Sequence, residues 1–241
     1  MAEKPRFYDA KLTKIVSLTD TVKHFILDYP KDADTRFVAG QFLMVHLEKD
    51  GKPHKKSYSI ASSPLLAKEK NQIELCIKLV EGGFVSTWFF GLKEGDVIHT
   101  SLPYGVFTIR EPWQENLVFV GTGTGVAPLR GMIRYLYENG CTKNIWLIFG
   151  NRYQGDILYQ NEWEALARQH KTFHFIPTIS RGTAWTGEKA YVQEVVKREF
   201  AGKTAGYDFY GCGLVPMCQQ LKAALIEMNI PKENIHFEQF T

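Results

Sequence analysis

No stretch of this chain stays apolar for the ~20 residues that a bilayer crossing needs, and the opening Met1-Ala2-Glu3-Lys4-Pro5-Arg6 leads into no apolar signal core. A cytoplasmic protein without membrane attachment is expected. Cysteine is sparse: Cys76, Cys141, Cys212 and Cys218 fall at irregular spacings with no C-x-x-C pair. That argues against a zinc site or a cysteine-ligated iron–sulfur cluster, and for thiols in a reducing compartment. Excess charge is lacking too, since 29 Lys and Arg against 26 Asp and Glu leave only +3. This is too little to argue for nucleic-acid binding, although Lys52, His54, Lys55 and Lys56 form a basic cluster able to steer an acidic partner. Repeats and low-complexity segments are absent. What is present, 44% hydrophobic and 23% charged residues in a chain of 241, suits one large or two ordinary globular domains.

The pattern changes character partway along. Up to Ile109, short β-branched and aromatic runs (Val22 to Leu27, Phe42 to Leu47, Ser57 to Ala61, Ile73 to Leu79, Asp96 to Thr100, Phe107 to Ile109) are broken by Gly, Pro and Asp, which predicts a small antiparallel barrel or sandwich. From Asn116, strand-like runs (Leu117 to Val120, Ile145 to Phe149, Thr172 to Ile176, Tyr207 to Tyr210, Ile235 to Phe237) alternate with helical ones (Pro128 to Asn139, Asn161 to His170, Ala190 to Glu199, Val215 to Asn229). That alternation predicts an α/β domain with a doubly wound parallel sheet. The boundary is expected near Glu111-Pro112-Trp113-Gln114, giving domains 1–112 and 113–241.

Gly121-Thr122-Gly123-Thr124-Gly125-Val126-Ala127-Pro128 lies between an apolar strand and a helix, where backbone N–H groups and the helix N-terminus suit a pyrophosphate. It is not G-x-G-x-x-G, because Val126 stands in place of the third glycine. Ligands of a doubly wound sheet sit beyond the strand carboxyl ends, so Gly150-Asn151-Arg152, Ser180-Arg181 and Gly211-Cys212-Gly213 are expected at the same edge. Ser180-Arg181, with Gly187-Glu188-Lys189-Ala190-Tyr191, offers a guanidinium fork, an ammonium and hydroxyls. These suit a phosphate monoester better than a ribose diol, for which an acid would be expected after the second strand. A solvated loop explains that segment equally well when it is taken alone. In the first domain, Lys56-Ser57-Tyr58-Ser59-Ile60-Ala61-Ser62 and Gly82-Gly83-Phe84-Val85-Ser86 stand out, and in isolation each reads as an ordinary strand or capped turn.

Taken together and in this order, the segments resemble the ferredoxin–NADP reductase superfamily of flavoproteins, from about Tyr8 to the C-terminus. The resemblance implies an FAD-binding β-barrel followed by an NADP-binding α/β domain. Lys56-Ser57-Tyr58-Ser59 is similar to the family's Arg-x-Tyr-Ser/Thr flavin motif, which implies that Tyr58 stacks on the isoalloxazine ring, Ser59 approaches flavin N5 and Lys56 meets the flavin pyrophosphate. Lysine at position 56 departs from the family's arginine and loses the bidentate fork. Gly82, Gly83, Phe84, Val85 and Ser86 resemble the second flavin-phosphate motif, with the Ser86 hydroxyl on the pyrophosphate. Gly40-Gln41-Phe42 and Pro103-Tyr104-Gly105-Val106-Phe107 match barrel signatures with a structural role.

The resemblance also implies nicotinamide-nucleotide contacts from Gly123, Thr124, Gly125, Pro128, Arg152 and Gly211, with Asp156 structural. It implies a 2′-phosphate pocket of Ser180, Arg181, Lys189 and Tyr191. It further implies that Cys212 shapes the nicotinamide pocket, that Glu238 lies near flavin N5 and that Phe240 covers the open flavin face, with Thr241 one residue beyond. Ser59, Cys212 and Glu238 are the residues expected nearest the chemistry. The implied cofactors are FAD and NADPH, and the implied reaction passes hydride between them and single electrons to or from an acidic carrier such as ferredoxin or flavodoxin. With no cysteine-rich cluster domain at either end, a separate carrier is the favoured expectation. A reductase component of an oxygenase, or a non-enzymatic flavin or nucleotide relay or sensor, would use the same residues.

Overall fold

Alternating polar and apolar side chains make the first part of the chain a sheet. In the computed structural model, which describes residues 4–182, 184–203 and 205–240, one unit comprises Met1–Ile109 with Arg130–Asn139 and a second comprises Arg110–Leu129 with Gly140–Thr241. The first contains β1 (Arg6–Thr19), β2 (Val22–Asp28), β3 (Phe42–Lys49), β4 (Lys52–Ser59), α1 (Pro64–Lys70), β5 (Gln72–Lys78), α2 (Phe84–Gly91) and β6 (Val97–Tyr104). The strands run antiparallel in the order β4-β3-β6-β1-β2-β5. Its outer strands also approach one another, through a bridge between Ile60 and Leu75 and a 2.8 Å hydrogen bond from Ala61 N–H to the Glu74 carbonyl. The sheet therefore curls around a core that includes Leu12, Phe25, Leu43, Ile60, Leu75, Phe89 and Ile98.

Several local expectations are corrected. Strand β1 spans 14 residues that the sequence reading left without a strand, because its exposed face carries Lys11, Lys14 and Asp9 among the buried Ala10 and Leu12. Strand β4 begins at Lys52 instead of Ser57: Asp50 and Gly51 take positive φ (53° and 69°) in a two-residue hairpin turn, and Lys49 pairs directly with Lys52. Phe107 to Ile109 is not a strand, since Val106 is exposed while Phe107 is buried by a turn closed by Thr108 N–H on the Val106 carbonyl. The two barrel signatures do come together. Gln41 Nε2 donates to the Gly105 carbonyl at 3.0 Å, and the Phe42 and Tyr104 rings stack with centroids 5.7 Å apart.

The second unit carries β7 (Asn116–Thr122), β8 (Asn144–Asn151), α4 (Gln160–Gln169), β9 (Phe173–Ile179), α5 (Val192–Glu199), β10 (Tyr207–Leu214), α6 (Val215–Glu227) and β11 (Ile235–Phe240). Helix α3 (Val126–Glu138) follows β7. All strands are parallel, in the order β11-β10-β7-β8-β9. Chain order reverses between β7 and β10, which is where a doubly wound sheet opens a crevice at its carboxyl edge. All four cysteines are buried thiols. Among the described residues, no helix is long and apolar enough to cross a membrane, and no group of three His, Cys, Asp or Glu side chains is arranged to hold a metal.

In the first unit, Arg130 Nη1 donates to Glu74 Oε2 at 2.6 Å, and both side chains are buried. Burial alone would raise the Glu74 carboxyl, but hydrogen bonding from His24 and the charge and hydrogen bond of Arg130 hold it down at about 2. Because this value lies below the ordinary 4.5, the stabilisation is fully present above pH 4.5 and drains away as pH falls through about 2. Glu74→Gln leaves a buried guanidinium without its counter-charge, at a cost of about 3–5 kcal/mol near neutrality. Chemical denaturation of both proteins from pH 7 to pH 2 is expected to show this difference shrinking steadily on the acid side. A gap independent of pH would contradict the assignment.

Candidate functional site

At the carboxyl edge of the parallel sheet, β7 runs into a 3-10 turn at Gly123–Gly125 and then directly into α3. A Cβ at Gly125 would lie 2.3 Å from the Cys212 carbonyl oxygen and 2.8 Å from the Gly213 Cα, so only glycine lets this turn rest on the end of β10. Gly123 takes φ +53° with open space around it. The first N–H groups of a helix have no intrahelical acceptor, and Pro128, having no N–H, sacrifices no donor where it sits in the first turn. The Val126 N–H is engaged by the Gly123 and Thr124 carbonyls within the turn, and the partial positive charge of the helix start around it fits a phosphate. Gly211 is similarly constrained, with a Cβ there falling 2.2 Å from the Phe237 ring.

Register places Cys212 beside Glu238 and Leu214 beside Phe240. Cys212 is fully buried, and its thiol is pushed well above its ordinary pKa by burial first and by Glu238 and Cys218 next, which keeps it protonated. The neighbouring Cys218 Sγ donates to the Glu238 carbonyl at 3.5 Å. Thr241 lies outside the described residues.

The pairing of β8 with β9 continues past the strands. Ser180 N–H donates to the Asn151 carbonyl at 3.0 Å and Arg181 N–H to the Arg152 carbonyl at 2.9 Å, which sets Arg152 and Arg181 side by side. Both are exposed, and among the described residues neither has an ion-pair partner. The loop after Arg181 is laid back on β9 by the Thr178–Glu188 bridge, by Ala190 N–H on Thr178 Oγ1 at 3.0 Å and by Trp185 Nε1 on the Glu188 carbonyl at 2.9 Å. Lys189 is thereby held between two anchored neighbours, with the exposed Tyr191 at the start of α5. Glu188, the loop's only carboxylate, is occupied by Arg198 at 2.6 Å. Asp156 accepts the Tyr153 N–H at 3.1 Å and so closes a turn. Asn151, which the sequence places at this edge without a role of its own, has its Oδ1 buried at the end of β8 with no donor. Only three-dimensional burial reveals that.

In the first unit, Lys56 is exposed on β4, Tyr58 is half-buried with its ring 5.1 Å from Phe89, and Ser59 is buried. Burial raises the Tyr58 phenol, so it stays neutral. Gly82, at φ +70°, and Gly83 lead into α2, where Val85 packs on the core. The Ser86 hydroxyl is engaged within its own turn, accepting the Val80 N–H at 3.1 Å and donating to the Gly83 carbonyl at 3.1 Å. It therefore shapes the turn, leaving backbone N–H groups as the donors there. The Phe84 ring lies 5.3 Å from His54 and 4.7 Å from Lys49 Nζ, so the start of α2 rests on the β3–β4 hairpin that carries Lys56 and Tyr58. Beside them is a cavity of about 510 Å³ lined by Lys49, Gly82, Gly83, Phe84, Thr87 and Trp88, among others.

Two family models match the chain: an oxidoreductase FAD-binding domain over residues 9–109 and an oxidoreductase NAD-binding domain over residues 119–223. Ferredoxin–NADP reductase B of Sorangium cellulosum is 33% identical over 97% of this chain and 97% of that protein. The reductase component DmpP of phenol 2-monooxygenase from Pseudomonas is 30% identical over 97% of this chain, which spans 65% of that longer protein. The crystal structure of the Amycolatopsis cytochrome P450 reductase GcoB shares the fold, with TM-score 0.89 and 22% identity over 100% of this chain and 71% of that one.

The Gly125 contact yields a direct test. Gly125→Ala is expected to destabilise the protein by about 1–3 kcal/mol, because the methyl group meets backbone that has no rotamer to yield. Gly123→Ala meets no neighbour and adds only local φ strain of about 1–2 kcal/mol. Thermal unfolding of the two variants should rank Gly125→Ala as the less stable, and the reverse ranking would contradict the close approach.

Proposed function

We propose, from the premise that the chain belongs to the ferredoxin–NADP reductase superfamily of flavoprotein oxidoreductases, that it is an NADPH-dependent FAD reductase serving an acidic single-electron carrier. The observation that carries the coenzyme choice is the pairing of Arg152 with Arg181 on adjacent strand-end loops, while the loop's carboxylate is taken up by Arg198. Two guanidiniums with no ion-pair partner among the described residues suit a phosphate monoester, and a ribose diol would call for an available acid. Ser180, Lys189 and Tyr191 complete the proposed 2′-phosphate pocket. Gly123, Thr124, Gly125 and Pro128 cradle the coenzyme pyrophosphate, Gly211 lets the end of β10 pack on Phe237 beside them, and the Asn151 Oδ1 accepts from one of the coenzyme's hydroxyl or amide groups.

FAD, when bound, takes up an electron pair as hydride and gives it out singly. Tyr58 supplies the aromatic face for it, Ser59 a hydroxyl, and Lys56 with the N–H groups after Gly82 and Gly83 the counter-charge for its pyrophosphate. In the second unit, Cys212, Glu238 and Phe240, at the carboxyl ends of β10 and β11, are the residues proposed for the nicotinamide end of the coenzyme, with Cys212 filling space as a neutral thiol. Lys52, His54 and Lys55 on the exposed hairpin attract an acidic carrier, with ferredoxin and flavodoxin the proposed partners. The likeness to the phenol 2-monooxygenase reductase supports a second reading, a reductase component of an oxygenase, which differs only in the acceptor that is reduced.

Anaerobic titration with NADPH and NADH in turn, followed by visible absorbance, tests flavin, coenzyme and hydride transfer together. The flavin band is expected to bleach with NADPH, whereas a yellow protein that does not bleach would indicate a relay or sensor. A hydrogen bond to a charged group is worth about 1.5–3 kcal/mol, so Arg181→Ala should weaken NADPH roughly 10- to 150-fold and leave NADH nearly unchanged. An equal fall in kcat/KM for both coenzymes would place the phosphate pocket elsewhere.

A further inference from the structure

Arg130 and Glu74 occupy an unusual position for a buried pair. Arg130 is 4% exposed and Glu74 8%. The nitrogen that meets Glu74 also donates to the Ala61 carbonyl at 2.8 Å. Glu74 is in turn tied to the same run of chain by its backbone: its N–H donates to Ser62 Oγ at 3.1 Å, and its carbonyl accepts Ala61 N–H at 2.8 Å. His24 Nε2 stands 3.8 Å from its Oε1 and Arg134 Nη1 3.8 Å from its Oε2. Gly131 presses on the run as well, for a Cβ there would lie 2.7 Å from the Ser62 carbonyl oxygen and 3.2 Å from that of Ile60. Residues 60–62 are thus gripped by side chain, strand and helix backbone, immediately after Tyr58 and Ser59.

A buried ion pair is poor value as a stabiliser, since apolar residues of the same volume commonly do as well. What an apolar pair lacks is a donor for the Ala61 carbonyl. We propose that Arg130, held by Glu74, is a positioning residue: its hydrogen bond to the Ala61 carbonyl fixes the strand end that carries Tyr58 and Ser59, and so sets the surface against which the flavin ring lies. This rests on Tyr58 and Ser59 being the flavin contacts proposed above. Neither Arg130 nor Glu74 need touch the flavin. Their effect passes through two or three residues of extended backbone, which transmits a shift at Ala61 directly to Ser59.

The experiment compares the full-length flavin-loaded chain with Arg130→Met, the double variant Glu74→Met/Arg130→Met, and Gly131→Ala. Thermal midpoint, visible circular dichroism of the bound flavin, and the rate of anaerobic flavin reduction at saturating NADPH are read for each. Arg130→Met is expected to lose stability, because it strands a carboxylate, and the double variant to regain most of it. The flavin dichroism of the double variant remains altered and its reduction remains about ten- to a hundredfold slow, the scale on which a small misplacement costs rate. Gly131→Ala, which keeps both charges and pushes on the same peptides, shifts the dichroism and slows reduction too, so the test does not depend on the double variant folding. Wild-type dichroism and rate in Gly131→Ala, or in a double variant of restored stability, would overturn the positioning role and leave the flavin assignment standing. A wild-type chain that takes up no flavin would overturn that assignment, and with it the purpose of the clamp.

Discussion

The second unit depends on one contact between main chains, the backbone of Gly125 against the carbonyl of Cys212. Parallel strands deliver their loops to the same edge, and where chain order reverses between β7 and β10 those loops must share a narrow space. Any side chain at Gly125 would part them, and with them the start of α3, whose N-terminus carries the helix's partial positive charge. The tight approach also explains Cys212. Sealed under the turn, its thiol is neutral and compact, suited to filling space and unsuited to attack.

The first unit solves a different problem by different means. A six-stranded antiparallel sheet has two edges, and here they are drawn together at Ile60 and Leu75, so that less of either is left open to other strands. Apolar burial drives the curl but does not fix where β4 ends, because hydrophobic contact has no direction. Directional restraint comes from hydrogen bonds, and the run after Ser59 receives them from Arg130 and from β5. At α2 the opposite economy holds: Ser86 closes the turn with its hydroxyl, and the donors left over are main-chain N–H groups.

Much of this was legible in the sequence because it depends on local chemistry. Glycines between a strand and a helix marked the nucleotide-like loop, and β-α alternation after Asn116 marked the parallel sheet. Features that depend on distant residues were not legible. Lysines on β1 masked a 14-residue strand whose buried face becomes evident only with β2 and β6 beside it. Phe107 carries strand-like propensity, yet among the described residues it pairs with no strand and is buried in the core instead. Glu74 and Arg130 stand 56 residues apart with no pattern joining them, and the donorless Oδ1 of Asn151 is a fact of burial alone.

Charge pairing narrows where an anion can bind. Arg6 and Arg36 are engaged by Asp34, Arg130 and Arg134 by Glu74, Arg168 by Glu164, and Arg198 by Glu188 and Glu199. An arginine already matched to a carboxylate has little net field to offer a ligand, whereas Arg152 and Arg181 add theirs at a single edge. Arg198 contributes indirectly, because by binding Glu188 it neutralises the carboxylate next to Lys189. The positive charge at this edge is therefore a property of two loops and a helix acting together, and exchanging Arg181 alone for an acidic residue would leave Arg152 and Lys189 in place beside it.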